Sequence, residues 1–351
     1  MQNASSNFTF ANISSFKSHQ DSNTSTNDTA DFDYGTIASS ATLMLFSLLT
    51  NGFVLIMYAM HHELRSPFSF YVMNLFINNL YLAIADPLRI IDTLSTKWFP
   101  KTAACRFFII NDYIGCAMVN HAHLLITLNR AWAIMFPISY KQLHTRTMAK
   151  CICIGSAVYC HIILLPFIII DFMYYRGPDL NADSCDVKTG AQKAYTQFLL
   201  KVFFQVPMFV ILGTYPLLYW KRLTARKVAG RNHGNESTMQ GTFSVIAEKV
   251  TTDLRQAVTV RHKDGSRKPF YVLTAMTLGV LVCWTPVKVY NFVQAVAGDD
   301  YVNTPSFKEL RTIGNVVYEL ECIIDPILFT LVLSDLRAVI IRLFKQMFCK
   351  Q

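Results

Sequence analysis

Residues Ile37–Met60 read IASSATLMLFSLLTNGFVLIMYAM, a run without a single Asp, Glu, Lys or Arg. As a helix it would rise about 36 Å at 1.5 Å per residue, enough to cross the roughly 30 Å hydrocarbon layer of a bilayer. Six further stretches qualify: Pro67–Ile91, Cys105–Met135, Cys151–Met173, Ala194–Trp220, Pro269–Val296 and Thr312–Leu333. All but the first contain charges, the third, fifth, sixth and seventh among them, and an ionisable residue inside a span normally faces the bundle interior because leaving it in lipid costs several kcal/mol. Composition agrees. Of the 351 residues 52% are hydrophobic and only 16% charged, whereas a soluble domain has about a quarter of its residues charged. The fold expected is all-α, a seven-transmembrane helix bundle with a polar interior, and no stretch is left over for a soluble enzyme domain or a repeat.

The formal charge of +9 would suggest nucleic acid if it formed a stripe on a soluble domain. Its placement points elsewhere. With the amino terminus outside, the inner segments and carboxyl-terminal tail hold 20 of the 32 basic residues against 6 acids, a net of +14, and the remainder carries −5. This is the positive-inside pattern of a membrane protein. Residues 1–36 agree independently: they hold five Asn-x-Ser/Thr sequons, at Asn3, Asn7, Asn12, Asn23 and Asn27, in a Ser/Asn/Asp-rich stretch that cannot bury a core. The organisation expected is a glycosylated extracellular tail over 1–36 and a membrane domain over 37–333 with a third inner loop at about 221–268. An inner tail follows over 334–351. The first span is expected to serve as its own signal anchor. Of nine cysteines only Cys105 and Cys185 fall on the oxidising outer face, where they are predicted to form a disulfide. Cys349, in a basic and apolar tail end, is a candidate for palmitoylation.

Motifs within the spans carry the class further. Thr50-Asn51-Gly52-Phe53-Val54 stands in the first and Leu82-Ala83-Ile84-Ala85-Asp86 in the second. Cys105 comes 25 residues before Arg130, in Asn129-Arg130-Ala131-Trp132-Ala133-Ile134-Met135-Phe136-Pro137-Ile138-Ser139-Tyr140. Phe204-x-x-Pro207 is followed by Tyr215, then Cys283-Trp284-Thr285-Pro286, then Asp325-Pro326-Ile327-Leu328-Phe329, and Leu336-Arg337 opens an amphipathic segment. In this order and topology, residues 37–349 resemble a rhodopsin-like (class A) G-protein-coupled receptor, with the last segment similar to the family's short eighth helix. Several positions depart from its pattern. Asn129 replaces the acid that holds the following Arg, Ala131 replaces a Tyr, and Asp325 and Phe329 stand for Asn and Tyr. Val280 stands for Phe, Ala157 falls near the place of the fourth span's Trp, and Val119 replaces a Ser.

The resemblance implies roles. Asp112 occupies the place where amine ligands are held by an ion pair. It lies 18 residues before Arg130, five turns or about 27 Å of helix, so the two share a face: Asp112 looks into the outer half of the bundle and Arg130 into its inner mouth, with Cys116 and His123 on the same stripe. Lys288 stands one turn beyond Trp284, too deep to snorkel, and needs a partner or an anionic ligand. Either Asp112, Tyr113, Cys116, Lys288, Asn291, Asn315 and Glu319 line a ligand site, or its charges pair among themselves or with Lys201 and order the bundle. Leu199, Leu200 and Phe203 stand where aminergic members tend to carry Ser, which speaks against a catecholamine, and Glu319 stands at the retinal Lys of opsins, which excludes a Schiff base. Asp86, Asn51, Glu321 and Asp325 form a mid-membrane polar cluster whose carboxylates must bind a cation or share protons; sodium on Asp86, Asn51 and Asp325 is the candidate metal, and no other cofactor is expected. Trp284, Pro286, Arg130, Tyr215, Asp325, Pro326 and Phe329 are the switch set, Pro286 kinking the sixth helix so that its inner half can swing.

The function these features imply is conversion of an extracellular ligand, a peptide or a small charged molecule, into activation of a heterotrimeric G protein at the plasma membrane. The basic inner face would meet anionic lipids and the G protein. Arrestin is a candidate partner, docking through the hydroxyl-rich third loop rather than the hydroxyl-poor tail. A constitutively active or decoy receptor is the alternative, motivated by Asn129, Ala131 and Phe329. A transporter would carry paired broken helices or an inverted repeat, and none is visible. No nucleophile–base pair or metal-ligand motif supports an enzyme.

Overall fold

The protein is described by a computed structural model over residues 34–88, 103–175, 187, 192–236, 274–287, 289 and 305–348. Among these residues the backbone is helical between short turns, and no strand occurs. The helices are α1 (Tyr34–Met60), α2 (Ser69–Ala83), α3 (Ala103–Met135), α4 (Pro137–Leu143), α5 (Arg146–Ile170), α6 (Lys193–Leu200), α7 (Val206–Glu236), α8 (Thr274–Val287), α9 (Pro305–Val332) and α10 (Ser334–Phe348). Each of the seven expected spans finds its helix. The sequon-bearing tail, most of the third inner loop, Cys185, Lys288, Asn291 and Cys349 lie outside the described residues.

Three details differ from the sequence expectation, each for a local reason. The second span is interrupted. Residues 84–85 form a turn in which the Ala85 amide donates to Leu82 O at 3.3 Å, and the helix resumes at Asp86. Pro87, with no N–H to give, leaves the turn before it short of a helical bond. The fifth span is α6 and α7 joined through a π-helical turn, Lys201–Gln205; Pro207 again withholds the donor that the carbonyl four residues earlier would use. Finally, α7 does not stop at the membrane edge but runs on through residues 221–236, assigned from the sequence to the third inner loop. Lys221, Arg222, Leu223, Ala225, Arg226 and Lys227 are strong helix formers, so the helix has no reason to end there.

By length and composition Ala38–Met60, Arg146–Tyr175 and Ala194–Lys221 could each cross a membrane. The others fall short for reasons that fit a bundle: α2 is broken, and α3 and α9 spend their inner faces on polar residues. Large side chains such as Leu49, Ile56, Ile154, Ile162, Phe209 and Trp220 are exposed. On a soluble protein such a surface would be a liability; here it is the face turned to lipid.

Helix α3 is the axis of the bundle, packed against α2, α5 and α7 and buried along most of its length. Two amides staple it to α2: Asn78 Nδ2 donates to Met118 O at 3.1 Å and Asn111 Nδ2 donates to Tyr81 O at 2.9 Å. Gly115 permits the close approach between them, since a Cβ there would lie 2.9 Å from Leu82 Cδ1. On α10, Leu336, Val339, Ile340 and Leu343 turn one apolar stripe to the bundle while Arg337, Arg342 and Lys345 stay exposed, the pattern of a helix lying along an interface.

Candidate functional site

The α3 stripe expected from the sequence is real. Asp112, Cys116, His123 and Arg130 are all buried, and they divide the site into an outer, a middle and an inner part.

In the outer part Asp112 and Tyr113 sit inside the bundle, and the Tyr113 ring lies 6.4 Å from that of Phe167 on α5. Leu199, Leu200 and Phe203 are buried and give the fifth span an apolar inner wall there. Lys201 is exposed. Glu319 on α9 lines a partly open cavity between α1, α2, α3 and α9, together with Asn79, Asp86, Val119, Glu321 and Cys322. Asn315 lies on α9 one turn before Glu319.

The middle part is a polar network that spans five helices. Asn51 Nδ2 donates to Cys322 O at 2.8 Å and to Ser47 O at 2.9 Å. Asn79 Nδ2 reaches Asn51 Oδ1 at 3.2 Å and Asp325 Oδ2 at 3.4 Å. His123 Nε2 stands 3.2 Å from Asp325 Oδ2 and 3.4 Å from Glu321 Oε1. Glu321 Oε2 accepts from the indole Nε1–H of Trp284, whose ring also meets His123 edge-on at 5.6 Å and Tyr318 at 6.5 Å. So Asn51, Glu321 and Asp325 are brought together as expected, with Asp86 on the adjoining cavity wall. Asn79 was missed, and His123 was noted only for its stripe. Both were within reach: Asn79 precedes Asp86, and His123 precedes Arg130, by seven residues, two turns of the same face.

The inner part departs from the family's acid–Arg pair. Asn129 Oδ1 accepts from the Tyr140 hydroxyl at 3.1 Å, and Asn129 Nδ2 lies 3.0 Å from His144 Nε2. Burial, aided by the charge of Arg130, pushes the His144 proton affinity below its ordinary value of 6.5. A neutral His144 can therefore accept from the Asn129 amide. Tyr140 stacks on His144 at 4.4 Å, and Trp132 meets both rings edge-on. The Arg130 guanidinium lies over the Phe68 ring, 3.0 Å from its centroid, an arrangement that takes its stabilisation from the ring quadrupole. Tyr215 stacks on Tyr219 within α7 at 6.3 Å, and Phe329 meets Phe76 edge-on at 5.8 Å. Cys105 is disulfide-bonded at the outer end of α3.

The seven-helix arrangement with its central polar stripe defines a membrane receptor, and comparison with known proteins gives the family. The profile described as "7 transmembrane receptor (rhodopsin family)" matches residues 50–329, and the chain belongs to that family. The 5-hydroxytryptamine receptor 1B of Mus musculus is 23% identical over 348 residues, 90% of this chain and 86% of that receptor. The D(1C) dopamine receptor of Xenopus laevis is 26% identical over 271 residues, 71% of this chain and 53% of that receptor. The histamine H1 receptor of Rattus norvegicus is 24% identical over 233 residues, 65% of this chain, which spans only 45% of that receptor's length. The chain is a multi-pass membrane receptor of the class that answers an extracellular ligand through G proteins, and it is not an enzyme.

Proposed function

We propose that this receptor lies in the plasma membrane with its amino terminus outside and is switched by a ligand bearing a cationic group, seated against Asp112. The observation that carries this reading is the burial of Asp112, 6% exposed on the outer third of α3. An ionisable residue inside a span normally faces the bundle interior, where the cationic group of a ligand can reach it. The similar receptors are named for histamine, 5-hydroxytryptamine and dopamine, all small amines. The apolar wall of Leu199, Leu200 and Phe203 offers nothing to catechol hydroxyls, which favours an amine with an apolar body. The molecule would act by population shift: ligand contact favours the state in which α8 swings outward on the Pro286 kink and Arg130 leaves Phe68 for the G protein.

A screen of small amines and cationic peptides, read out by G-protein activation, provides the agonist. Asp112→Asn should then lower its potency by roughly 30- to 4,000-fold at unchanged surface expression, the 2–5 kcal/mol of a broken buried charge pair. Unchanged potency would sink the assignment. A second reading, constitutive signalling, is favoured by one observation: Arg130 rests on an aromatic ring while Asn129 is spent on Tyr140 and His144. Ligand-free nucleotide exchange on purified receptor and G protein separates the two.

A further inference from the structure

We propose that His123, Glu321 and Asp325 form a binding site for a divalent transition-metal ion of the zinc class, joining α3 to α9 beneath Trp284. Their donor atoms, His123 Nε2, Glu321 Oε1 and Asp325 Oδ2, lie within 4.8 Å of one another and all three residues are buried. The histidine-to-carboxylate separations are 3.2 and 3.4 Å. Ligands held at 2.0–2.1 Å around a tetrahedral ion stand about 3.3–3.4 Å apart, and the two separations from His123 match that spacing. The same distances are long for a charge-assisted hydrogen bond, which closes to about 2.7–2.9 Å.

Three further observations point the same way. Half of the eight buried side-chain nitrogens and oxygens that lack a hydrogen-bond partner among the described residues belong to this network: both ring nitrogens of His123, Glu321 Oε1 and Asn79 Oδ1. Native proteins leave few such atoms, and a bound cation would satisfy those of His123 and Glu321. The second is charge. Two carboxylates stand against one imidazole, more negative charge than that ring can offset, and an uncompensated buried charge is expensive; a divalent ion would cancel both carboxylates. The third is donor type: imidazole nitrogen suits zinc, copper or nickel, whereas sodium prefers oxygen alone. Glu321 is also a wall of the cavity carrying Asp86 and Glu319, an acidic approach for a cation. Its other oxygen is held by Trp284, so an ion here would be felt at the residue on which α8 turns.

The test uses the full-length receptor in phosphatidylcholine nanodiscs, washed with chelator and titrated with cobalt(II) and, separately, zinc(II). The expected result is one cobalt per chain with the intense visible absorption of a tetrahedral site, displaced by zinc, and a thermal midpoint that rises with the logarithm of zinc concentration. His123→Leu and Glu321→Gln should each weaken binding on the order of 100-fold or more, Glu321→Gln leaving an acceptor for Trp284. Binding that survives both substitutions belongs to surface histidines and overturns the proposal. So does stabilisation by sodium chloride with no response to zinc, or a thermal midpoint set by pH alone, which would make a protonated His123 the cation of the cluster. None of these readouts depends on the ligand at Asp112.

Discussion

Replacing Asn129 by Leu tests whether the inner end of α3 is held to the second inner loop by neutral hydrogen bonds in place of an ion pair. The substitution keeps the branched shape and removes both polar arms, leaving the Tyr140 hydroxyl and His144 Nε2 without their partner. A neutral hydrogen bond contributes about 1 kcal/mol net, and these two lie at half-buried side chains that water can reach again, so the loss should be about 1–2 kcal/mol rather than the larger penalty of a fully buried orphan. The aromatic contacts persist. Tyr140 on His144, Trp132 against both and Tyr71 stacked on His144 at 5.7 Å do not pass through Asn129, and at about 0.5–1.5 kcal/mol each they keep α4 docked. The expected outcome is faster local opening without global unfolding. The Tyr140 amide donates to Phe136 O at 2.9 Å and the His144 amide to Tyr140 O at 3.0 Å. Their hydrogen exchange should speed up about 5- to 30-fold, while amides in the middle of α3 keep their rates. Unaltered exchange at Tyr140 and His144 would refute the role given to Asn129, and faster exchange along all of α3 would show that the substitution unfolds the helix instead.

The same attachment should depend on pH. Because burial depresses the His144 proton affinity below 6.5, the detached loop binds more protons than the docked one, so docking is at full strength above pH 6.5 and weakens as pH falls below it; exchange at the His144 amide, corrected for intrinsic rate, should rise between pH 6.5 and 5.5 and stay level above. Gly115→Ala should lower the thermal midpoint by the equivalent of about 1–2 kcal/mol, since its Cβ would meet Leu82 Cδ1 at 2.9 Å and Tyr81 at 3.3 Å, whereas Gly314→Ala, whose nearest neighbours stand at 3.5 Å, should leave it unmoved. Thr145→Ala removes the side-chain cap that accepts from the Met148 amide at 3.2 Å and should destabilise the start of α5 by about 1 kcal/mol, measurable as exchange at Met148.

The seven spans were legible because a bilayer imposes one length scale on every crossing, and that length survives any detail of packing. The α3 stripe was legible for a similar reason: Asp112 and Arg130, five turns apart, must share a face whatever surrounds them. What crosses between helices was not. That His123 on α3 meets Glu321 and Asp325 on α9 depends on the rotation of two helices separated by almost 200 residues of chain, and periodicity within one helix carries no information about the rotation of another. The break before Asp86 and the π-helical turn before Pro207 follow from prolines that were in view, but a proline indicates a missing hydrogen bond, not whether the chain will tighten or widen around it. The continuation of α7 through 221–236 was hidden by its charge. Lys and Arg mark the inner side of a membrane and favour helix equally well.

The middle network explains why one helix can be both anchored and mobile. Trp284 is fully buried and is tied on one side to Glu321 of α9 and on the other to the edge of His123 of α3. Helix α8 is thereby tied to α3 and α9 two residues before the proline that weakens its backbone at 286. Apolar neighbours such as Met276 and Val280 cover the segment below, and apolar contacts slide at little cost compared with a buried hydrogen bond left unmade. In the mechanism proposed above, a ligand that shifts the outer end of α3 or α9 would disturb this tie at Trp284, and so bias the swing of α8 about Pro286.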